Sequence, residues 1–584
     1  MAEEDDAFDG LEPVGDGCDP VAPGDDDATR ALLIEGARER LNDTGNGRRL
    51  VLYFGEDLMF VPRVGWFTWT GRVWSKDSDE ITVTRRAMQL SSMIERELWH
   101  LSLSPAQTEV LDSEEGLLDR LGLLMRTTGD DGKPEDPAGI KAIEAQLASI
   151  SKLKKRLSEM RASHRRFANT SGNVGRMEAA TRAAGVLLAR RVEELDAGHL
   201  DLNTESGVLR FSVHVEDGRR YSSFEELAHD RSFLMTKIMP VKLIEDPECP
   251  RFDAFFERIQ PTEEKRRFLL RWSALGLTGL LEQCLCFYYG MGANGKSVLV
   301  DLMAKIAGDY AAMAKIESLT GTNRRGGGDA TPDLLPLVGA RMVRASEPDE
   351  GVRWQEGLIK ELTGGEPFLA RGFQKDFFEV LPRFSLTLSG NHRPDIRGTD
   401  DGIWRRLLLV DFSEQIPKEE QIPKVELDAI LFAERDAIFS RHLVPALLEY
   451  LEIGLAPPES VLAATREFRD ESDPYGAFLE DACVVTGDEA DSVPARELVL
   501  AFHFWLMQRA EGAFKDRTVS LALKDRSRRW VSKKTGKRFT ERKASTMRYD
   551  GIRFTDTFKR AWEYAPKDSS GRALTVASGS EADE

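Results

Sequence analysis

Apolar and polar positions change their period several times along the chain, and each change marks an element. The runs LVLYFGEDLMFVP (50–62) and VGWFTWTGRVWSKD (64–77) read as short strands, with Thr70-Gly71 supplying a hairpin turn between Trp69 and Trp74. Residues 79–126 carry a helical pattern. RTTGDDGKPEDP (126–137) is a loop by its Gly, Pro and Asp content, and the helical pattern returns from Ile140 to about Leu195. Within it, KLKKRLSEMRASHRR gives a basic face, read as solvated. Residues 198–245 mix short strands and loops, and PECPRFDAFFERI opens a further helical stretch.

From there strands and helices alternate. CLCFYY is an apolar strand, followed by a helix over 296–307 that Gly308 closes. GTNRRGGGDATPD (321–333) is a connector, 338–347 a strand, 354–364 a helix, 367–380 a hairpin, and 383–390 and 405–412 two more strands. Strands alternating with helices predict an α/β fold with a parallel or mixed sheet and helices on its faces. Residues 413–470 read as helical, and a smaller domain follows.

Length and charge refine the picture. A chain of 584 residues is too long for one core, so several domains are expected. Apolar content of 41% and charged content of 31% suit a globular protein. There is no apolar run of eighteen residues, so no membrane span is expected. The acidic start MAEEDDAFDG is unlike an export signal, and the expected compartment is a reducing cytoplasm. Cys18, Cys249, Cys284, Cys286 and Cys483 form no CxxC pair and show no metal spacing.

The net charge of −19 is unevenly distributed: residues 1–30 hold eleven acids against Arg30, whereas 515–548 hold thirteen Lys and Arg against Asp516, Asp525 and Glu541. An acidic tail at one end and a basic patch at the other is an asymmetry that nucleic-acid-binding proteins show, although two solvated segments have it too. Trp66, Trp69 and Trp74 are able to stack bases, but packing of a small sheet is the favoured reading.

The candidate chemistry starts at GMGANGKS (290–297), which has the spacing G-x-x-x-x-G-K-S between a strand and a helix. Gly290, Met291, Gly292, Ala293, Asn294 and Gly295 form a loop whose N–H groups cradle phosphates, with the positive end of a helix dipole behind it. Lys296 reaches the β- and γ-phosphates and Ser297 binds Mg²⁺, so ATP and Mg²⁺ are the expected cofactors.

A carboxylate is next needed at the end of a neighbouring strand, and RMVRASEPDE offers Glu347, with Asp349 and Glu350 as alternatives. Glu347 would hold Mg²⁺, activate water, or do both. Asn391 ends the run RFSLTLSGN, where an amide orients water and senses the γ-phosphate. Arg405 and Arg406 begin the strand RRLLLVDF, so one could pack at home and the other reach a neighbouring subunit's nucleotide as an arginine finger; on these residues alone a solvated pair is the favoured reading.

The succession GMGANGKS, ARMVRASE, IKELTGGEPFLARGF, FSLTLSGNHRPDI and GTDDGIWRR resembles the superfamily-three helicase domain, above all that of the phage and plasmid primase–helicases and related poxvirus-type NTPases. The resemblance is tight over about 250–415 and weaker in the flanks, where WFTWTGRVW and LDLNTESGVLRF resemble the helicase-associated region. It implies an AAA+-like P-loop core and an ATP-driven 3′–5′ replicative DNA helicase working as a homo-hexameric ring. Its catalytic residues would be Lys296, Glu347, Asn391 and Arg405 or Arg406, with Arg406 favoured.

It further implies a DNA-contacting hairpin between Lys360 and Phe378, with Arg371 at its base and Gln374, Lys375 and Asp376 near its tip; an ordinary edge hairpin is the alternative for Lys375. A C-terminal winged-helix-like domain is implied too. LALKDRSRRWVSKKTGKRF would be helix then turn and MRYDGIRFT the wing hairpin, with Lys533, Lys534, Lys537 and Arg538 on phosphates. The expected partners are single-stranded and forked DNA and a separate primase or polymerase, since no metal-binding Asp-x-Asp cluster in a strand context and no zinc-ribbon cysteines precede the loop.

The expected layout is an acidic disordered tail (1–28), a mixed α+β helicase-associated region (29–250), the ATPase domain (251–415), a helical connector (416–470), the winged-helix-like domain (471–564) and a disordered tail (565–584). Rival readings are a small-molecule kinase, a DNA-packaging ATPase, and a DNA-binding initiator or repressor that uses ATP only for assembly.

Overall fold

The computed structural model describes residues 26–574 apart from 102, 128–133, 321–330, 332, 347–352, 371–377, 395, 397–400 and 510–513. The acidic tail expected over 1–28 therefore lies largely outside the described residues. Its last positions are helical, because Asp26 accepts from Thr29 N and caps the first helix. The chain divides into two compact units, one of 1–197 with 230–236, the other of 198–229 with 237–584.

The first unit holds α1 (Asp27–Gly36), α2 (Asp43–Phe54), the strands β1 (Leu58–Val61), β2 (Gly65–Trp69) and β3 (Trp74–Lys76), then α3 (Ile81–Glu97), α4 (Pro105–Asp112), α5 (Glu114–Arg126), α6 (Pro137–Ser171) and α7 (Val174–Leu187). LVLYF, expected as strand, is the end of α2. A continuous apolar run has no period to separate the two states, and the Asn42 cap on Gly45 N decides it. The expected 79–126 helix breaks where Ser104 and Pro105 start a new one, and the 140–195 stretch breaks at Gly172-Asn173.

The β1-β2-β3 sheet is antiparallel, with Trp69 opposite Trp74 and the turn at Thr70-Gly71, where Gly71 has φ +92°. Trp66 and Trp74 are buried, and Trp69 packs on Trp74 at 5.6 Å between ring centroids, so these rings are sheet packing.

Beneath this sheet the helices close over a buried charge cluster. Arg49 Nε donates to Glu97 Oε1 at 2.8 Å, and both side chains are wholly buried. His164 and Tyr53 complete the carboxylate's partners, and the two Nη atoms of Arg49 close the carbonyls of Gly36 and Arg40. Every ionised group is thus paired, which a buried charge requires.

The second unit opens with β4 (Asp201–Asn203) and the hairpin β5 (Val208–Glu216) and β6 (Arg219–Leu227), turned at Asp217-Gly218, both at positive φ. Two helices follow, α8 (Pro250–Ile259) and α9 (Glu263–Leu275). Then come β7 (Leu285–Tyr289), α10 (Lys296–Ala307), β8 (Ala311–Met313), α11 (Ile316–Leu319), β9 (Met342–Ser346), α12 (Glu356–Leu362), β10 (Phe368–Ala370), β11 (Phe378–Val380), β12 (Ser385–Gly390), α13 (Asp401–Trp404) and β13 (Leu407–Asp411).

The central sheet is five-stranded and parallel, in the order β13-β7-β12-β9-β8. Strand alternation divides its core in two. Cys286, Tyr288, Leu408 and Val410 face α8, α9 and α10, while Leu285, Phe287, Leu407 and Leu409 face the opposite layer with Trp354 and Phe468. On the first face Thr387 of β12 is paired: Trp272 Nε1 donates to its Oγ1 at 2.8 Å.

Residues 413–423 are not helical beyond one short 3-10 turn, so the expected helical stretch begins with α14 (Lys424–Ala433). It continues through α15 (Arg435–Ile438), a π-helical turn (Phe439–Leu443), α16 (Val444–Ile453) and α17 (Glu459–Glu471). The C-terminal part comprises α18 (Pro474–Asp481), β14 (Cys483–Val485), β15 (Ser492–Pro494), α19 (Ala495–Gln508), α20 (Asp516–Arg529), β16 (Thr540–Lys543), β17 (Met547–Asp550), β18 (Ile552–Phe554) and α21 (Asp556–Tyr564).

The expected wing is shifted. The antiparallel hairpin is β16-β17, whereas MRYDGIRF bends at Gly551 (φ +79°) and sends β18 to pair with β14. Residues 565–574, expected as disordered, form a turn bridged between Lys567 and Ala573, with Arg572 paired to Asp516. No helix among the described residues is long and apolar enough to cross a membrane.

Candidate nucleotide site and nucleic-acid surfaces

The G-x-x-x-x-G-K-S loop joins the C-terminal end of β7 to the N-terminus of α10, where ligands bind in open α/β sheets. Gly292, Ala293 and Gly295 all have positive φ, at +91°, +49° and +74°. This left-handed backbone turns the loop back on itself and aims successive N–H groups at one point. The loop is fixed from behind: Asn294 Nδ2 donates to Phe412 O at 3.0 Å, and Ile416 N donates to Ala293 O at 2.7 Å. A Cβ on Gly290 would lie 2.0 Å from Asn294 Nδ2, and one on Gly295 2.5 Å from Ile259 Cγ2, so both glycines are required by close approach. Met291 is exposed at the loop's crest.

Lys296 is buried, and its Nζ donates to Gly290 O at 3.0 Å and to Asn391 Oδ1 at 2.5 Å. Asn391 follows β12, which pairs with β7 in parallel register, so the two strand ends bring lysine and amide together. Ser297 is exposed beside a cavity of ≈ 260 Å³ that Asp301, Arg344, Ser346, Ser389 and Lys424 also line. Ser297, Ser346 and Ser389 present oxygen donors to that space, a set that suits a hard cation such as Mg²⁺. Glu347, Asp349 and Glu350 lie outside the described residues.

Three charged residues of this cavity were not anticipated. Asp301, one helical turn beyond Ser297, pairs with Arg344 of β9 and with Lys424 at 2.7 Å. Burial holds the Arg344 guanidinium below its usual range. The i, i+4 spacing from Ser297 is a signal that could have found Asp301; Arg344 sits inside an apolar-looking strand.

Arg405 and Arg406 do not start a strand. They occupy the turn between α13 and β13, so they differ in burial rather than in sheet face. Arg406, the favoured finger, is 8% exposed and its Nη1 donates to Gly402 O at 2.8 Å, whereas Arg405 is exposed. Leu285 N donates to Arg406 O, which puts the pair at the opposite end of the sheet from the loop, about 15 Å away over five strand residues.

Of the expected DNA contacts, Lys360 is half-buried on α12 and β10 pairs antiparallel with β11 as expected, while Arg371, Gln374, Lys375 and Asp376 lie outside the described residues. In the C-terminal part, Lys533 pairs with Asp470 and Lys534 Nζ donates to Glu480 O. Lys537 and Arg538 are exposed, with no side-chain ion pair to another described residue.

Comparison with known proteins adds several similarities. Residues 47–261 match the sequence family described as "D5 N terminal like". The match agrees with the phage and poxvirus-type primase–helicase resemblance drawn from the downstream motifs. The chain is also similar to a "Putative helicase L207/L206" of Acanthamoeba polyphaga mimivirus, 28% identical over 47% of this chain and 30% of that protein. A "Putative helicase 022R" of Frog virus 3 is 28% identical over 43% and 27%. A third, "Putative helicase 184R" of Invertebrate iridescent virus 6, is 26% identical over 45% and 30%. The chain thus spans under a third of the curated relatives it matches. Among solved structures, the NrS-1 C-terminal region (305–718) covers 59% of this chain and 96% of its own at 11% identity, but its TM-score of 0.35 carries no argument.

Proposed function

We propose that this chain is a subunit of an ATP-driven DNA helicase with an AAA+-like P-loop core and a winged-helix-like C-terminal domain. The observation that carries the reading is the meeting of Lys296 and Asn391 at the ends of adjacent parallel strands, beside the exposed Ser297 hydroxyl. A lysine and an uncharged amide placed together at a phosphate-cradling loop suit a site that binds a γ-phosphate and detects its loss. Lys296 and the loop N–H groups bind the phosphates, and Asn391 orients the attacking water. Ser297 and Glu347 would hold Mg²⁺, which would supply charge neutralisation at the phosphates.

The arginine finger is Arg405. It is exposed and lies too far from its own subunit's loop, so it serves the neighbour's nucleotide in a homo-hexameric ring. Hydrolysis moves the β10-β11 hairpins, which grip phosphates of a single strand without reading sequence. The family's 3′–5′ direction and a primase or polymerase partner at the fork complete the reading.

The test is strand displacement on a forked duplex with ATP and Mg²⁺, wild type beside Lys296→Ala. Displacement by wild type and none by the variant is expected. Hydrolysis stimulated only by duplex, without displacement, would point instead to a packaging motor.

A further inference from the structure

We propose that Cys249, Asp253 and His442 form a zinc site that ties α8 to the π-helical turn before α16. This inference does not rest on the helicase reading. The three side chains each offer one ligand atom, and these atoms lie within 4.8 Å of one another. Cys249 Sγ is 3.8 Å from Asp253 Oδ1, and His442 Nε2 is 2.7 Å from the same oxygen. Tetrahedral zinc with bonds of about 2.0–2.3 Å sets its ligand atoms roughly 3.3–3.6 Å apart, so the His442–Asp253 pair has to open by less than an ångström and the Cys249–Asp253 pair to close by less, with all three atoms already within 4.8 Å. A thiolate and an imidazole together select zinc over magnesium or calcium.

The surroundings leave the ligand atoms available. Arg441 Nε approaches the other carboxylate oxygen, Asp253 Oδ2, at 3.8 Å. Phe252 packs against the His442 ring at 5.4 Å and holds its plane. Glu434 caps the start of α8 by accepting from Arg251 N and Phe252 N, which adds negative charge beside the cluster. Pro445 lacks the N–H that a regular α-helix would direct to Arg441 O, and the wide π-turn that accommodates it carries His442.

An Asp–His hydrogen bond alone would need no thiol. Cys249 is 1% exposed at the position just before α8. Binding exchanges the thiol proton for the metal: one proton leaves to solvent per Zn²⁺ bound, and the His442 ring moves its own proton to Nδ1. The fourth position is open to water, because Asp253 and His442 are partly exposed.

The site would brace the nucleotide loop's floor. Phe255 and Ile259 of the same helix are the residues that a Cβ on Gly295 would strike.

The test titrates the full chain, purified without a metal-affinity tag and stripped with chelator, with Co²⁺ and then Zn²⁺. A thiolate-to-cobalt charge-transfer band saturating at one equivalent, bleached by zinc, is expected. The band should vanish in Cys249→Ser, persist in Cys284→Ser, and need at least tenfold more cobalt in His442→Ala. Absence of the band in wild type overturns the proposal, as does its survival in Cys249→Ser or uptake that never saturates. If the variants fail to fold, the wild-type titration decides alone.

Discussion

Lys296 Nζ and Asn391 Oδ1 are hydrogen bonded across the ends of two adjacent parallel strands. A bound γ-phosphate competes with the amide for that ammonium. Asn391→Ala should therefore leave nucleotide affinity within a few-fold of wild type while slowing hydrolysis by about 10²-fold, the usual loss for one positioned transition-state donor. Lys296→Ala should lose binding itself. Nucleotide titration beside steady-state hydrolysis separates the two, and equal loss of affinity in both variants would contradict the assignment.

The two arginines should separate by phenotype. Arg405→Ala should fold with unchanged thermal stability yet lose hydrolysis, and recover part of it when mixed with Lys296→Ala subunits, because each variant supplies what the other lacks. Arg406→Ala removes a buried side chain and its bond to Gly402 O, and should lower stability by about 1–3 kcal/mol. Calorimetry with subunit-mixing assays checks both.

Gly295→Ala places a methyl 2.5 Å from Ile259 Cγ2 at a φ of +74°. Strain and overpacking together should cost about 1–3 kcal/mol. Denaturant unfolding should register that cost, and nucleotide binding should be lost even where the protein stays folded.

Burial pushes the Glu97 carboxyl up, but hydrogen bonds from His164, Arg49 and Tyr53 together with the Arg49 charge outweigh it and hold the group below its usual value of 4.5. A carboxyl depressed on folding stabilises the fold above its unfolded pKa and loses that contribution as pH falls through the folded one. The first unit should therefore weaken below about pH 4.5, a slope that Glu97→Gln lacks. Glu97→Ala, which strands Arg49, should cost about 3–5 kcal/mol. Urea midpoints followed by a probe in the first unit between pH 3 and 7, roughly the range over which carboxyls titrate, check all three.

Lys537→Ala with Arg538→Ala should weaken DNA binding at low salt without changing stability. The slope of log K against log salt should fall by about one unit for each DNA phosphate that these side chains neutralise. An unchanged slope would take these residues off the DNA.

What the sequence made legible follows from the range of the interactions involved. The phosphate-binding loop, the helix over 296–307 closed by Gly308, and the Thr70-Gly71 hairpin depend on neighbours in the chain, so local spacing reveals them. LVLYF misled because a run apolar on every side has no period. Arg406 misled because burial depends on how α13 meets β13, which no single strand pattern encodes. The Arg49–Glu97–His164 cluster and the Cys249–Asp253–His442 group join residues far apart in the chain, with no motif to announce them.

The stretch from Arg405 to Ile416 is a single tie-rod. One end is the exposed arginine, the middle is β13, and the far end is bolted to the phosphate loop through Phe412 O and Ile416 N. A strand is already extended and hydrogen-bonded along its edge, so it lengthens very little under load. In the proposed ring, a pull on Arg405 by a neighbour's phosphate would be delivered to Asn294 and Ala293. Subunits joined by such rods in that ring would be coupled, each nucleotide loop tied through one strand to its neighbour's site.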